Sequence, residues 1–237
     1  MLTTYKDPSR PRAVFWDMDG TLTDTEPLWG IATYELAELL GGKLTPELRA
    51  KTVGGTFAST LEICAATAQR SLTPEDYPRY REWMFKRVSE LFADQLTVFP
   101  GVRELLSELK AAGIPMLVTT NTVRSLADPA IAAIGSDYFT GSICGDEVER
   151  GKPAPDMYVE AARRARCSPG QAVVFEDSTA GMTAATAAGC FVIGLPADER
   201  IVIPDGVVPI SSLHSSNHLD GVTVQNIFDW FKENSQL

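Results

Sequence analysis

Short, uninterrupted apolar runs, each followed by a turn and a helical pattern, constrain this chain more than any other feature. Ala13-Val-Phe-Trp16, Pro115-Met-Leu-Val118, Ala172-Val-Val-Phe175 and Phe191-Val-Ile-Gly-Leu195 are such runs, with a weaker one at Val207-Val-Pro-Ile210. Strands that are apolar along their whole length belong in a parallel sheet buried on both faces, and only covering helices can bury it. Those helices are visible between the runs. Val102, Leu105, Leu106 and Leu109 recur at i, i+3, i+4 and i+7 before a stop at Gly113, and 156–166, 181–188 and 223–234 carry comparable patterns. The alternation predicts an α/β core with a doubly wound, Rossmann-like parallel sheet.

One stretch breaks the alternation. From Thr25 to Asp94 the pattern is helical throughout, with Thr45-Pro46 and Thr73-Pro74-Glu75-Asp76 reading as N-caps with a first-turn proline. A helical cap at 25–94 is therefore expected, inserted into a core formed by 13–24 and 95–237. Residues 1–12, with two prolines and three basic residues, read as a short mobile lead-in. Inserted after the first strand, the cap would stand above that strand's carboxyl end, where open α/β sheets bind their ligands.

Charge narrows the partners. Lys and Arg total 21 against 31 Asp and Glu, a formal net charge of −10, which disfavours a nucleic-acid partner; the Arg163-Arg164-Ala165-Arg166 run reads as a solvated helix face. No segment approaches the length of a membrane span and no apolar leader opens the chain, so no membrane partner and a cytoplasmic, monomeric protein are expected. The four cysteines lie far apart, which argues against a disulfide framework or a zinc site. Only His214 and His218 could support histidine chemistry, and both fall in a Ser/Asn-rich stretch.

Acids gather where two of the apolar runs end. Asp17-Met18-Asp19-Gly20-Thr21 follows the first run, and residues two apart on a strand point the same way, so Asp17 and Asp19 can converge. Alone, an Asp-Gly pair is an ordinary bend. A calcium loop is excluded, because Thr21 and Leu28 stand where its third and closing ligands belong. Glu176-Asp177-Ser178 follows the run at 172–175. Two like charges at about 4 Å cost roughly 4 kcal/mol at an effective dielectric of about 20, so four carboxylates in one crevice call for a hard divalent cation such as Mg²⁺. Thr119-Thr120-Asn121 supplies hydroxyls and N–H groups at another strand end, and Lys152 sits clamped between Gly151 and Pro153.

In this combination and order the chain resembles the haloacid dehalogenase superfamily of phosphatases and phosphomutases, among its members with a helical cap. The resemblance spans residues 13 to 195 and implies a phosphoric monoester hydrolase that uses Mg²⁺ and a phosphoaspartyl intermediate. It implies Asp17 as nucleophile and Asp19 as acid and then base. Mg²⁺ falls to Asp17, the Asp19 carbonyl and Asp177, with Glu176 as an additional ligand. Gly20, Thr120, Asn121 and Lys152 fall to the phosphoryl group, Thr120 being preferred to Thr119 for its spacing from Gly113. The family's mutases carry a histidine and an arginine in stretches that here read Glu26-Pro27-Leu28-Trp29 and Val53-Gly54-Gly55-Thr56-Phe57-Ala58. Neither residue is present, and the Glu26 stretch is similar to that of sugar-phosphate phosphatases, which places Glu26 toward the substrate. Hydrolysis of a sugar or polyol phosphate is thus expected ahead of isomerisation, or of a phosphate-binding module without turnover.

Overall fold

The computed structural model describes residues 9–53, 56–197 and 200–234. In chain order these form β1 (Ala13–Trp16), β2 (Thr23–Asp24), α1 (Glu26–Leu39), α2 (Pro46–Ala50), α3 (Phe57–Thr67), α4 (Asp76–Gln95), β3 (Thr97–Val98), α5 (Val102–Ala111), β4 (Met116–Thr119), α6 (Arg124–Ile134), β5 (Gly141–Ile143), α7 (Asp156–Ala165), β6 (Ala172–Glu176), α8 (Thr179–Ala188), β7 (Phe191–Gly194), β8 (Val207–Pro209) and α9 (Val224–Asn234).

The chain divides into two compact units. The first comprises Met1–Asp24, Val98–Ala127 and Ile134–Leu237; the second comprises Thr25–Thr97 and Asp128–Ala133. Within the first, six strands form a parallel sheet in the order β5-β4-β1-β6-β7-β8. Strand β1 is central, with β4 on one side and β6 on the other, so the winding reverses at β1. That reversal opens the crevice in which doubly wound sheets bind ligands. All residues of β1, β4 and β6 are buried, as uniformly apolar strands require when helices cover both faces. The covering helices turn their apolar stripes inward: Val102, Leu105, Leu106 and Leu109 of α5, and Met157, Tyr158, Ala161 and Ala162 of α7.

The second unit is helical. Leu36 of α1, Leu61 of α3 and Val88 and Phe92 of α4 lie in its core. Trp29 meets Phe85 and Phe92 edge-on at 6.5 and 6.3 Å, and Phe57 meets Phe85 at 6.4 Å, so both aromatics pack inside this unit. Thr45 caps α2 as expected, accepting from Leu48 N–H at 3.3 Å. Thr73 does not cap α4. The helix starts at Asp76, whose carboxylate turns back to accept from the Thr73 N–H and hydroxyl at 2.9 and 3.1 Å.

Three further details differ from the sequence reading. β5 and α6 carry no clear signal in the sequence, and Glu176 is the last residue of β6 rather than the first beyond it. The N-terminal lead-in falls partly outside the described residues, at 1–8. Of the remainder, Arg12 N–H donates to Gln171 O at 2.7 Å and the Arg10 guanidinium lies 4.7 Å over the Phe228 ring, so this stretch is tied down.

Candidate active site

The carboxyl ends of β1 and β6 position the acids. Trp16 pairs with Phe175 in the ladder and the two rings stack at 4.4 Å. One residue on, Asp17 N–H donates to Phe175 O at 3.0 Å, continuing the pairing past the strand end. Asp17 and Glu176 therefore leave the sheet next to each other, 6% and 0% exposed. The turn after Asp19 brings in the third acid. Gly20 has φ +92°, and a Cβ there would overlap the Asp177 carboxylate, so only glycine lets the two loops approach.

Lys152 arrives from the loop before α7. Its ammonium donates to Asp17 Oδ1 at 2.6 Å and to Thr119 O at 2.9 Å, and lies 2.5 Å from Glu176 Oε1. Its backbone is gripped by the Asn121 side chain, which accepts from Lys152 N–H at 2.9 Å and donates to Lys152 O at 3.2 Å. Asn121, read from the sequence as a phosphate-binding residue, thus spends its amide on holding Lys152. Glu176 is satisfied on both oxygens, by Tyr158 OH at 2.5 Å and by Ser178 Oγ at 3.2 Å. Thr119 turns away from the acids, donating to Trp16 O at 3.2 Å, whereas Thr120 and Thr122 both donate to Asp19 Oδ2, at 3.1 and 2.8 Å.

One ammonium faces four carboxylates, and the balance shows in their protonation. Burial pushes the Asp17 carboxyl well above the ordinary range; Lys152 pulls it down, and Glu176, Asp177 and Asp19 push it further up. Asp177 rises to about 7, by burial first and by the Glu176 charge second. Burial alone would lower Lys152, but Asp17 and Glu176 hold its ammonium protonated, above its usual range. The deficit is one of positive charge. Oxygens of Asp17, Glu176 and Asp177 lie within 4.8 Å of one another, and Asp17 Oδ2 and Asp19 Oδ1 are buried without hydrogen-bond partners. An all-oxygen donor set with orphaned carboxylate oxygens suits a hard divalent cation.

The first unit therefore brings together Asp17, Asp19, Gly20, Thr120, Asn121, Lys152, Glu176 and Asp177. Glu26 belongs to the second unit, where the Arg49 guanidinium meets Glu26 Oε1 at 2.5 Å. In the 53–58 turn, Gly54 and Gly55 lie outside the described residues. Two residues of the cluster escaped the sequence reading. Thr122 lies two residues past Thr120, a spacing that could have suggested it; Tyr158 reads only as part of the apolar stripe of α7.

Residues 11–189 match the model of haloacid dehalogenase-like hydrolases. The chain belongs to this family. It is 34% identical to a phosphorylated carbohydrates phosphatase of Thermotoga maritima, over 75% of this chain and 81% of that protein. It is 31% identical to hexitol phosphatase A of Escherichia coli, over 80% and 86%. Among solved structures it is similar to CbbY from Rhodobacter sphaeroides in complex with phosphate, with TM-score 0.74, 26% identity and coverage of 92% and 99%. This haloacid dehalogenase-like protein is a phosphoric monoester hydrolase.

Proposed function

We propose that this hydrolase cleaves the phosphomonoester of a small sugar or polyol by way of a phosphoaspartyl intermediate, with Mg²⁺ as its metal. Asp17, Asp177 and the main-chain carbonyl of Asp19 would hold the ion, with Glu176 completing the acidic set. When bound, Mg²⁺ supplies the positive charge that lets Asp17 and Asp177 ionise together and offsets charge on the transferring phosphoryl group.

The residues divide the work. An Asp17 carboxylate oxygen attacks phosphorus and forms the O–P bond, while the bond to the substrate oxygen breaks. Asp19 gives its proton to that leaving oxygen. Asp19, now ionised, takes a proton from water as the water attacks phosphorus; the aspartyl O–P bond breaks, releasing inorganic phosphate and restoring both acids. Thr120 and Lys152 hold phosphoryl oxygens, Asn121 aims Lys152, and Thr122 with Thr120 orients Asp19. Glu176 and Tyr158 fix the far side of the ammonium.

A single observation carries this reading: Asp17 is buried, with one oxygen fixed by Lys152 and the other left without a partner beside Asp177. The names of the similar phosphatases support the carbohydrate class. The test is hydrolysis of p-nitrophenyl phosphate with and without Mg²⁺ by wild type and Asp17→Asn. Turnover that depends on Mg²⁺ and drops at least about a thousandfold in the variant supports the reading; equal rates in the two proteins sink it. Phosphorus NMR with a hexose phosphate separates hydrolysis from isomerisation, since only hydrolysis accumulates free phosphate.

A further inference from the structure

Two of the four cysteines meet at the amino end of the sheet, opposite the acids. Cys64 and Cys144 are buried, whereas Cys167 and Cys190 are half-buried. Cys167 follows α7 and Cys190 follows α8, and the two helices end in the same way. Arg166, at φ +56°, and Gly189, at φ +85°, turn the chain left-handed. The cysteine that comes next then donates its amide back along the helix, Cys167 N–H to Ala162 O and Cys190 N–H to Ala185 O, each at 3.1 Å. A residue placed just past such a left-handed cap packs back on the last turn of its own helix.

Because α7 and α8 lie side by side, these two returns converge. Ala161 and Ala162 of α7 and Ala184 and Ala185 of α8 belong to one core cluster, and both cysteines pack against it. The strands that follow draw the same ends together. Phe191, next to Cys190, pairs with Val173 of β6, and a Cβ on Gly170 would sit 3.5 Å from Gly189 O, so the loop that opens with Cys167 lies against the turn that carries Cys190. The sulfurs sense each other. Burial pushes the Cys190 thiol up to about 12, and charge on Cys167 adds to the rise.

Neighbouring thiols within reach of solvent can hand a single oxidation event on to a bridge. Cys190, which keeps its proton, is a poor first nucleophile at neutral pH. First attack therefore falls to Cys167, which lies between the exposed Arg166 and Ser168.

We propose that Cys167 and Cys190 form a reversible dithiol–disulfide site that reacts with hydrogen peroxide. The Cys167 sulfur attacks one peroxide oxygen; an S–O bond forms, the O–O bond breaks, and the departing hydroxide leaves as water with the proton of the Cys167 thiol. The Cys190 sulfur then attacks the resulting sulfenic sulfur; the S–S bond forms, the S–O bond breaks, and the hydroxide carries off the Cys190 proton as a second water. Two electrons pass from the thiols to the peroxide, and a thiol reductant returns them. The bridge fastens the C-terminal ends of the helices that begin after Lys152 and Asp177.

Peptide mapping of the full chain tests the site. After Arg166 the next tryptic site is Arg200, so one peptide, 167–200, carries both cysteines. Wild type treated with a few equivalents of hydrogen peroxide, then alkylated in denaturant and digested, should yield this peptide two hydrogens lighter and unlabelled. Its doubly alkylated form should fall at least about tenfold, while Cys64 and Cys144 take their labels as in untreated protein. After a further cut at Glu176 the two halves should stay joined until reductant is added. In Cys190→Ser the reaction should stop at a sulfenic acid on Cys167, captured by dimedone; in Cys167→Ser the remaining Cys190 should alkylate as before treatment. The proposal is overturned by a 167–200 peptide that stays doubly alkylated, by sulfinic or sulfonic acid in place of the bridge, by a bridge to Cys64, to Cys144 or between chains, or by dimedone capture at Cys190 instead of Cys167.

Discussion

Lys152 and Asp17 lie 135 residues apart in sequence and 2.6 Å apart in the fold, Nζ to Oδ1, both buried. The pair forms only when the β1 terminus, the loop before α7 and the Asn121 clamp are all in place. Removing the ammonium would leave a buried anion cluster without its cation. Lys152→Ala should therefore destabilise the metal-free protein by about 3–5 kcal/mol in urea unfolding, and Mg²⁺ should recover part of the loss. A variant as stable as wild type in chelator would show that the pair carries no such weight.

The carboxylate excess gives a pH dependence of definite sign. Asp177 titrates at about 7 in the metal-free fold, against about 4 for an unfolded carboxyl. Between those values the folded state holds the extra proton, so metal-free stability should fall as pH rises through this window. Saturating Mg²⁺ should raise the melting temperature most above pH 7. Asp177→Asn should flatten the pH slope and shrink the Mg²⁺ response, both readable by thermal denaturation.

Thr122 predicts a kinetic signature. Its hydroxyl is the shorter of the two donors to Asp19 Oδ2, 2.8 Å against 3.1 Å from Thr120. Loss of it should leave the acid poorly aimed and lower kcat about tenfold to a hundredfold with KM little changed. Thr122→Ser, which keeps the hydroxyl, should restore the rate; if it fails while Thr122→Ala folds normally, the methyl rather than the hydrogen bond matters.

Tyr158 acts at one remove. Its OH donates to Glu176 Oε1, the oxygen that also faces Lys152. Tyr158→Phe keeps the packing and deletes the bond, so a loss of about 1 kcal/mol in stability is expected. A merely structural role would leave the pH profile of kcat unmoved; a shift of its alkaline limb would report a less firmly held ammonium.

The parts legible in the sequence are those that local pattern encodes. β1 and β7, and β4 and β6 up to their last residues, are buried enough to be continuously apolar, and α5 is amphipathic enough to show its period. β5 is three residues, Gly141–Ile143, at a sheet edge with only Ile143 buried, too short for any period. Within α6, Pro129 contradicts the helical signal that surrounds it. The same limit governs the site. Asp17, Asp19 and Lys152 stand in motifs that announce themselves, whereas the tie between Asn121 and Lys152, or between Tyr158 and Glu176, exists only once distant segments meet. A long-range partner leaves no local trace.

The Trp16–Phe175 rung has a consequence for how this protein can change. Because that rung sets the spacing of Asp17 from Glu176, the ruler for these two acids is the pitch of the sheet itself, and loops elsewhere can be lengthened, recut or rejoined without recalibrating it. New termini placed in surface turns distant from β1 and β6 should yield permuted proteins whose paired acids keep their separation.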